Sequence, residues 1–246
     1  MRYLVISDIH ANLEALDATL AAADGAYDRA LVLGDLVGYG ADPNGVIDRV
    51  RSLPGATLIR GNHDKVGSGI EDVEGFNHLA RFAIEWTANT LTRENRAWLA
   101  ALPQGPAIVD EGVEICHGTP FDEDVYVFDD LDALRAIRAA RRPLCLFGHT
   151  HVPALFRLGA DAELAMVAPP RVPPFTLALD DSRYLINVGA VGQPRDGDPR
   201  AAYGLYDTET RTIAMMRAVY DVGSAQSKII AAGLPEMLAH RLAVGR

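Results

Sequence analysis

Arg2-Tyr3-Leu4-Val5-Ile6-Ser7-Asp8-Ile9-His10-Ala11-Asn12 sets a short strand directly against an acid and an imidazole. Residues 2–6 read as a buried strand. From Asn12 to Ala23, leucines at 13, 16 and 20 among alanines make a helical stripe. Leu31-Val32-Leu33 is a second strand stopped by Gly34. Pro43 to Leu53 reads as a helix with proline in its first turn and Val46, Ile47 and Val50 facing inward. Thr57-Leu58-Ile59 is a third short strand. This β-α-β-α-β alternation argues for an α/β core with parallel strands.

Beyond residue 76 the pattern is helical from Asn77 to Leu102, with Thr92 capping a second helix that carries Trp98 and Leu99. The Phe76–Trp98 region reads as ordinary core-facing helices, with a cover over a functional site as the weaker alternative. Strands follow around 106–109 and 113–116, then a helix from Asp130 to Ala140 and a strand at 144–147. The proline-rich stretch 154–190, with Pro169-Pro170 and Pro173-Pro174, reads as exposed loops joining strands of a second sheet. Tyr203–Asp207 and Thr212–Arg217 form a hairpin, and Ser224–Val244 a helical tail broken at Gly233-Leu234-Pro235. No internal repeat or linker divides residues 1–246, so a single domain is expected; the length suits one large α/β unit.

Composition narrows the class. No apolar run reaches the roughly 18–20 residues that span a bilayer, and a cytoplasmic protein without a membrane partner is expected. Cys116 and Cys145 lie in apolar stretches and read as buried thiols. The formal net charge of −10 argues against sequence-independent binding of nucleic acid through a basic face, but not against a nucleotide as substrate.

Of the seven histidines, His10, His63, His117, His149 and His151 fall in short motifs just after a strand. The carboxyl ends of strands are where open α/β sheets bind ligands. Asp8, His10, Asp35, Asn62, His63, His117, His149 and His151 are thereby brought to one edge. Asp8 and His10, two residues apart in an extended turn, can reach one ion, and His149 and His151 repeat the spacing. Asp35 can bridge with its two oxygens. Mixed nitrogen and oxygen donors suit Mn, Fe, Zn, Co or Ni better than Mg or Ca. His78 and His240 sit in no motif.

Ser7-Asp8-Ile9-His10, Gly34-Asp35, Gly61-Asn62-His63-Asp64, His117-Gly118-Thr119 and Gly148-His149-Thr150-His151 resemble, in order and spacing, the five signature blocks of the calcineurin-like metallophosphoesterase superfamily. Asn187-Val188-Gly189-Ala190-Val191-Gly192-Gln193-Pro194-Arg195 resembles the closing segment of its small prokaryotic phosphodiesterase branch. The resemblance implies a four-layer α/β fold, two mixed β-sheets packed together and flanked by helices. It implies one metal on Asp8, His10 and His151, a second on Asn62, His117 and His149, and Asp35 bridging. Two divalent transition-metal ions are therefore expected as cofactors, manganese being favoured. By the same similarity His63 binds no metal and assists the leaving group as general acid or transition-state stabiliser, with Asp64 orienting its other ring nitrogen. Alanine at position 11 departs from the glycine of many relatives.

The implied reaction is hydrolysis of a small phosphate-ester or nucleotide-type substrate, with a bridging hydroxide attacking phosphorus in line. A phosphodiesterase is the first reading; a phosphomonoesterase (including a protein phosphatase) or a dinucleoside polyphosphate hydrolase is the alternative. A non-catalytic scaffold of the same fold would show replaced ligand positions, and none is replaced. A single-metal hydrolase fits the Asp35 and Asn62 blocks less well. Arg60 and Arg195 are candidate phosphate contacts, although a surface arginine explains each as well. Asn12 and Tyr39 are candidates to line the pocket, Asn12 equally a helix cap. Asp122-Glu123-Asp124 reads as a solvated loop. The sequence carries no signal for oligomeric state.

Overall fold

Successive side chains of a strand point to opposite faces, and along the first strand the two faces meet different partners. Leu4 and Ile6 pack into a cluster with helices, whereas Tyr3 and Val5 pack into one built by a second sheet. The computed structural model describes residues 1–168 and 174–246. Its first part alternates β1 (Arg2–Ile6), α1 (Leu13–Ala22), β2 (Arg29–Val32), α2 (Pro43–Arg51), β3 (Thr57–Leu58) and α3 (Asn62–Ser68). Then come α4 (His78–Thr90), α5 (Arg93–Ala100), β4 (Ala107–Ile108), β5 (Val113–Ile115), α6 (Asp130–Ala139) and β6 (Leu144–Phe147). The last part holds β7 (Ala154–Gly159), β8 (Leu164–Met166), β9 (Phe175–Thr176), β10 (Ser182–Asn187), β11 (Ala201–Asp207) and β12 (Thr212–Ala218). Two helices close it, α7 (Val222–Ala231) and α8 (Glu236–Val244).

Two six-stranded mixed sheets result, ordered β3-β2-β1-β11-β12-β9 and β4-β5-β6-β10-β7-β8. In the first, β1, β2 and β3 are parallel, with Ile6 opposite Val32 and Val32 opposite Leu58. In the second, β5, β6 and β10 are parallel, with Ile115 opposite Leu146 and Phe147 opposite Asn187. Each sheet therefore ends three strands at a common carboxyl edge. Val5, Leu31, Leu144, Leu146 and Ile186 fill the space between the sheets. Burying each leucine there contributes about 1.5–3 kcal/mol. The outer face of the first sheet is covered by α1, α2, α4, α5, α7 and α8, through residues such as Leu16, Ile47, Ile84, Leu99, Ile229 and Leu238. The outer face of the second is covered by α6, whose Ala133 and Ile137 meet Cys145 and Phe147. The layers run helices, sheet, sheet, helix, as the motif resemblance implied.

Local chemistry sets the helix starts. Asn12, Asn77 and Thr92 cap α1, α4 and α5, their side-chain oxygens accepting from first-turn amides. Gly233 (φ 72°) and Pro235 separate α7 from α8. Two readings change. α3 is not visible as an apolar stripe, because it is short and carries a single large apolar side chain, Val66. β9 joins the first sheet through β12, not the second. Pro169, Pro170 and Pro173 lie outside the described residues, so the loop reading there is not tested. Cys116 and Cys145 are buried and unbridged, their sulfurs 3.6 Å apart. Among the described residues no helix is long and apolar enough to cross a membrane.

Candidate metal centre

Three of the five motifs, those at Asp8, Asp35 and His149, leave their strands through strained turns. Among the described residues, φ is positive at Asp8 (55°), His10 (49°), Ala11 (51°), Asp35 (54°), Tyr39 (60°), His149 (67°) and His151 (61°), and otherwise at non-glycine positions only at Ala162 and Arg211. A left-handed backbone costs an L-residue roughly 1–2 kcal/mol, and such strain gathers at functional sites. Here it turns side chains from two sheets toward one point. The loops touch closely: a Cβ on Gly61 would strike the Asp35 carboxylate, and one on Gly148 would strike the Ser7 hydroxyl. The two sheets are tied at this edge by the His149 amide, which donates to both Asp8 oxygens at 3.1 Å.

Hydrogen bonds fix which imidazole nitrogens face inward. His10 Nδ1 donates to Val37 O (2.9 Å), His117 Nδ1 to Leu33 O (2.8 Å) and His151 Nδ1 to Gln193 O (2.6 Å). A carbonyl only accepts, so each of these Nδ1 atoms holds a proton and each Nε2 looks into the cluster. His149 is turned round: its Nε2 donates to Asp124 O at 3.1 Å, which leaves Nδ1 facing inward. Two overlapping donor groups follow, Asp8, His10, Asp35 and His151 on one side and Asp35, His117 and His149 on the other. Asn62 Oδ1 lies 3.2 Å from His117 Nε2, which adds a neutral oxygen to the second group. Asp35 Oδ2 sits 3.6 Å from His10 Nε2 and 3.4 Å from His117 Nε2, between the two.

These residues fit a cation. His10 Nε2 and His151 Nε2 are 3.1 Å apart while both rings place their proton on Nδ1. Two lone pairs facing each other at that distance repel unless a positive charge stands with them. Burial holds His10 down to about 4 and His149 to about 3, so both are neutral donors at working pH. Burial also pushes Asp8 up to about 7. His117 behaves oppositely: burial opposes its proton, but the adjacent Asp35 carboxylate outweighs burial and raises it to about 10. Burial would raise Asp35, yet the imidazoles around it, His117 foremost, hold it well below the usual carboxylate range. In the cation-free protein a proton on His117 supplies the charge that a metal would bring. Buried imidazole and carboxylate donors of this mixture suit a divalent transition metal.

The remaining sequence candidates divide. His63 is buried, its ring against His10, Tyr39 and Phe76 at centroid distances of 4.9, 4.6 and 4.7 Å. Its Nδ1 is sealed against Gly38 with no hydrogen-bond partner. Asp64 does not orient it. The Asp64 carboxylate accepts from the amides of Leu36 (2.8 Å), Val37 (3.2 Å) and Gly61 (3.0 Å), so it knits the Asp35 loop to the start of α3. Arg60 is engaged by Glu123, at 3.0 and 3.2 Å, and is not free for phosphate. Glu123 is therefore buried in ion pairs with Arg60 and Lys65, not solvated as its acidic run suggested. Asn12 is a helix cap, and its amide donates to Gly192 O.

A cavity of about 270 Å³ opens beside the cluster, lined by Tyr39, Asn62, His63, Phe76, Tyr126 and His149 among others. Phe76 thus faces the site and not only the core. Tyr126 stacks on His149 with ring centroids 3.7 Å apart, and no motif announced it. An aromatic two residues beyond the acidic run was its only trace. Arg195 stands over the Tyr39 ring, 5.8 Å from its centroid, and its amide donates to His151 O.

Residues 1–211 match the calcineurin-like phosphoesterase superfamily domain. An uncharacterized protein of Methanocaldococcus jannaschii is 36% identical over 253 residues, covering 98% of this chain and 97% of that one. The crystal structure of a metallophosphoesterase from Sphaerobacter thermophilus superposes with a TM-score of 0.87 at 38% identity, covering 100% of this chain and 99% of the other. A hypothetical protein from Pyrococcus horikoshii shares the fold, with a TM-score of 0.79 at 19% identity over 100% and 98% of the two chains. With its buried aspartate–histidine cluster at the sheet edge, the chain belongs to the calcineurin-like phosphoesterase superfamily and is a metal-dependent phosphoesterase.

Proposed function

We propose that the chain is a phosphodiesterase working at a pair of divalent cations, held by Asp8, His10 and His151 on one side and Asn62, His117 and His149 on the other, with Asp35 shared. The observation that carries this reading is the position of Asp35, whose single carboxylate belongs to both donor groups. Two such cations, when bound, supply Lewis acidity toward phosphate oxygens and lower the pKa of water.

The chain's own residues do the rest. His63 binds no cation in this reading. With Nδ1 closed off by Gly38, its Nε2 is the atom left to reach the cavity, where it donates a hydrogen bond to the departing oxygen. The Asp64 bridge to Leu36, Val37 and Gly61 keeps α3, and with it Asn62 and His63, at a fixed distance from Asp35. Tyr39 and Tyr126 wall the phosphate from bulk water. A diester is favoured because cavities continue on both sides of these tyrosines, one with His63 and one with Arg195. Each gives room for one ester arm.

The test is turnover of bis-p-nitrophenyl phosphate and p-nitrophenyl phosphate with Mn²⁺. Faster hydrolysis of the diester is expected. Preference for the monoester would make the protein a phosphomonoesterase.

A further inference from the structure

Across Tyr39 and Tyr126 from the His63 cavity lies a second one of about 400 Å³, lined by Tyr39, Asn77, Tyr126, Arg195, Arg241 and Arg246. No acid lines it. The two sides of the cleft therefore differ sharply in charge, since Glu71, Asp72, Glu74 and Asp124 rim the His63 side and its one lysine, Lys65, is paired with Glu71 and Asp124.

Three arginines that line one cavity repel one another unless an anion joins them. Arg195, Arg241 and Arg246 make no ion pair with a carboxylate among the described residues, in a chain with a net charge of −10. The nearest acids in sequence are occupied elsewhere, Asp196 with Arg217 and Asp198 with Arg200. The Arg195 guanidinium donates to the Gln193 side chain, at 3.2 Å, and lies over the Tyr39 ring.

The cavity is also built, not incidental. α8 is anchored by buried Leu238 and Leu242, and its end is pinned to the Arg195 loop by the Gly197 amide donating to Gly245 O at 2.9 Å. Gly245 adopts φ 63° there, and a Cβ would press on the Asp198 backbone. Arginine forks suit phosphate oxygens better than any other cationic side chain.

We infer that Arg195, Arg241 and Arg246 form a subsite for a second phosphate, so that the substrate is a phosphate ester carrying another phosphate on the arm retained opposite His63. This deepens the phosphodiesterase reading and rests on it. The ester arm that departs lies on the acidic, His63 side, and the doubly phosphorylated arm lies on the arginine side.

The experiment compares thymidine 5′-(p-nitrophenyl phosphate) with the same compound bearing a 3′-phosphate, in wild-type protein and in Arg241→Ala and Arg241→Lys, with folding checked by thermal melting. The 3′-phosphate should lower KM about tenfold in the wild type, the worth of one charge-assisted hydrogen bond. That advantage should vanish in Arg241→Ala, return in part in Arg241→Lys, and shrink with added salt. Equal KM values in the wild type, or an advantage that survives Arg241→Ala, would overturn the subsite. If neither ester is turned over, the hydrolysis reading fails by itself, and inorganic pyrophosphate titrated into metal-stripped protein decides the subsite. Binding weakened about tenfold by Arg241→Ala supports it, and unchanged or absent binding refutes it.

Discussion

Leu31 and Asp35 stand at the two ends of the same strand exit and are equally hidden from water, yet they are buried in opposite ways. Leu31 lies among Val5, Leu33 and Ile115, apolar atoms that need nothing further. Asp35 lies among His10, His63 and His117, in a loop whose backbone is left-handed. Between the sheets, burial itself stabilises. At the carboxyl edge, burial removes water from charges and lone pairs that the protein alone does not satisfy. Depth therefore does not separate structure from function here; what compensates the buried group does. Inside, the compensation is packing, and at the edge it comes from a bound cation.

If that division holds, substitutions at the edge change chemistry more than stability, and substitutions inside do the reverse. The largest expected effect is His63→Ala, which should lower kcat about 10²–10³-fold with metal content unchanged by elemental analysis. Loss of metal would move His63 into the ligand set and break the comparison. Leu146→Ala, between the sheets, should cost about 2–5 kcal/mol in urea denaturation while kcat per folded molecule stays near wild type. An equal loss of kcat would mean that the interior and the edge are not separable.

A smaller effect concerns protons. His117, raised to about 10 beside Asp35, is charged at pH 7.5 in the cation-free protein and must be neutral to bind metal. Metal binding at that pH should therefore release about one proton, and affinity should rise about tenfold per pH unit. Titration calorimetry in two buffers of different ionisation enthalpy measures it, and His117→Gln should remove that proton. No release in the wild type would contradict the charge assignment. The smallest effect is Ala11→Gly. Alanine at φ 51° is strained, so glycine should raise stability by up to about 1 kcal/mol, or some 2–4 °C in Tm, without altering turnover. A lower Tm would mean that packing of the Ala11 methyl outweighs its backbone strain.

Much of this was legible in the sequence because strands and motifs alternate along it. The apolar runs at 2–6, 31–33, 57–59, 113–116 and 144–147 marked parallel strands, and Asp8, His10, Asp35, Asn62, His117, His149 and His151 each follow one within a few residues. Proximity in space could be read there from proximity to a strand end. What was hidden depends on packing between distant segments. Asp64 binds amides of the Asp35 loop instead of its neighbour His63, a choice set by how α3 docks. Glu123 is buried only because Arg60 and Lys65 converge on it. Arg241 and Arg246 reach the cleft because α8 folds back over the loop at Arg195, and no local pattern announces that.

The proposed mechanism rests on two cations sharing Asp35. Manganese titrated into metal-stripped protein, followed by electron paramagnetic resonance, tests it most directly. About two ions per chain should bind, with signals that show magnetic coupling, as for metals about 3.5–4 Å apart. One ion per chain, or two that remain magnetically independent, would contradict it.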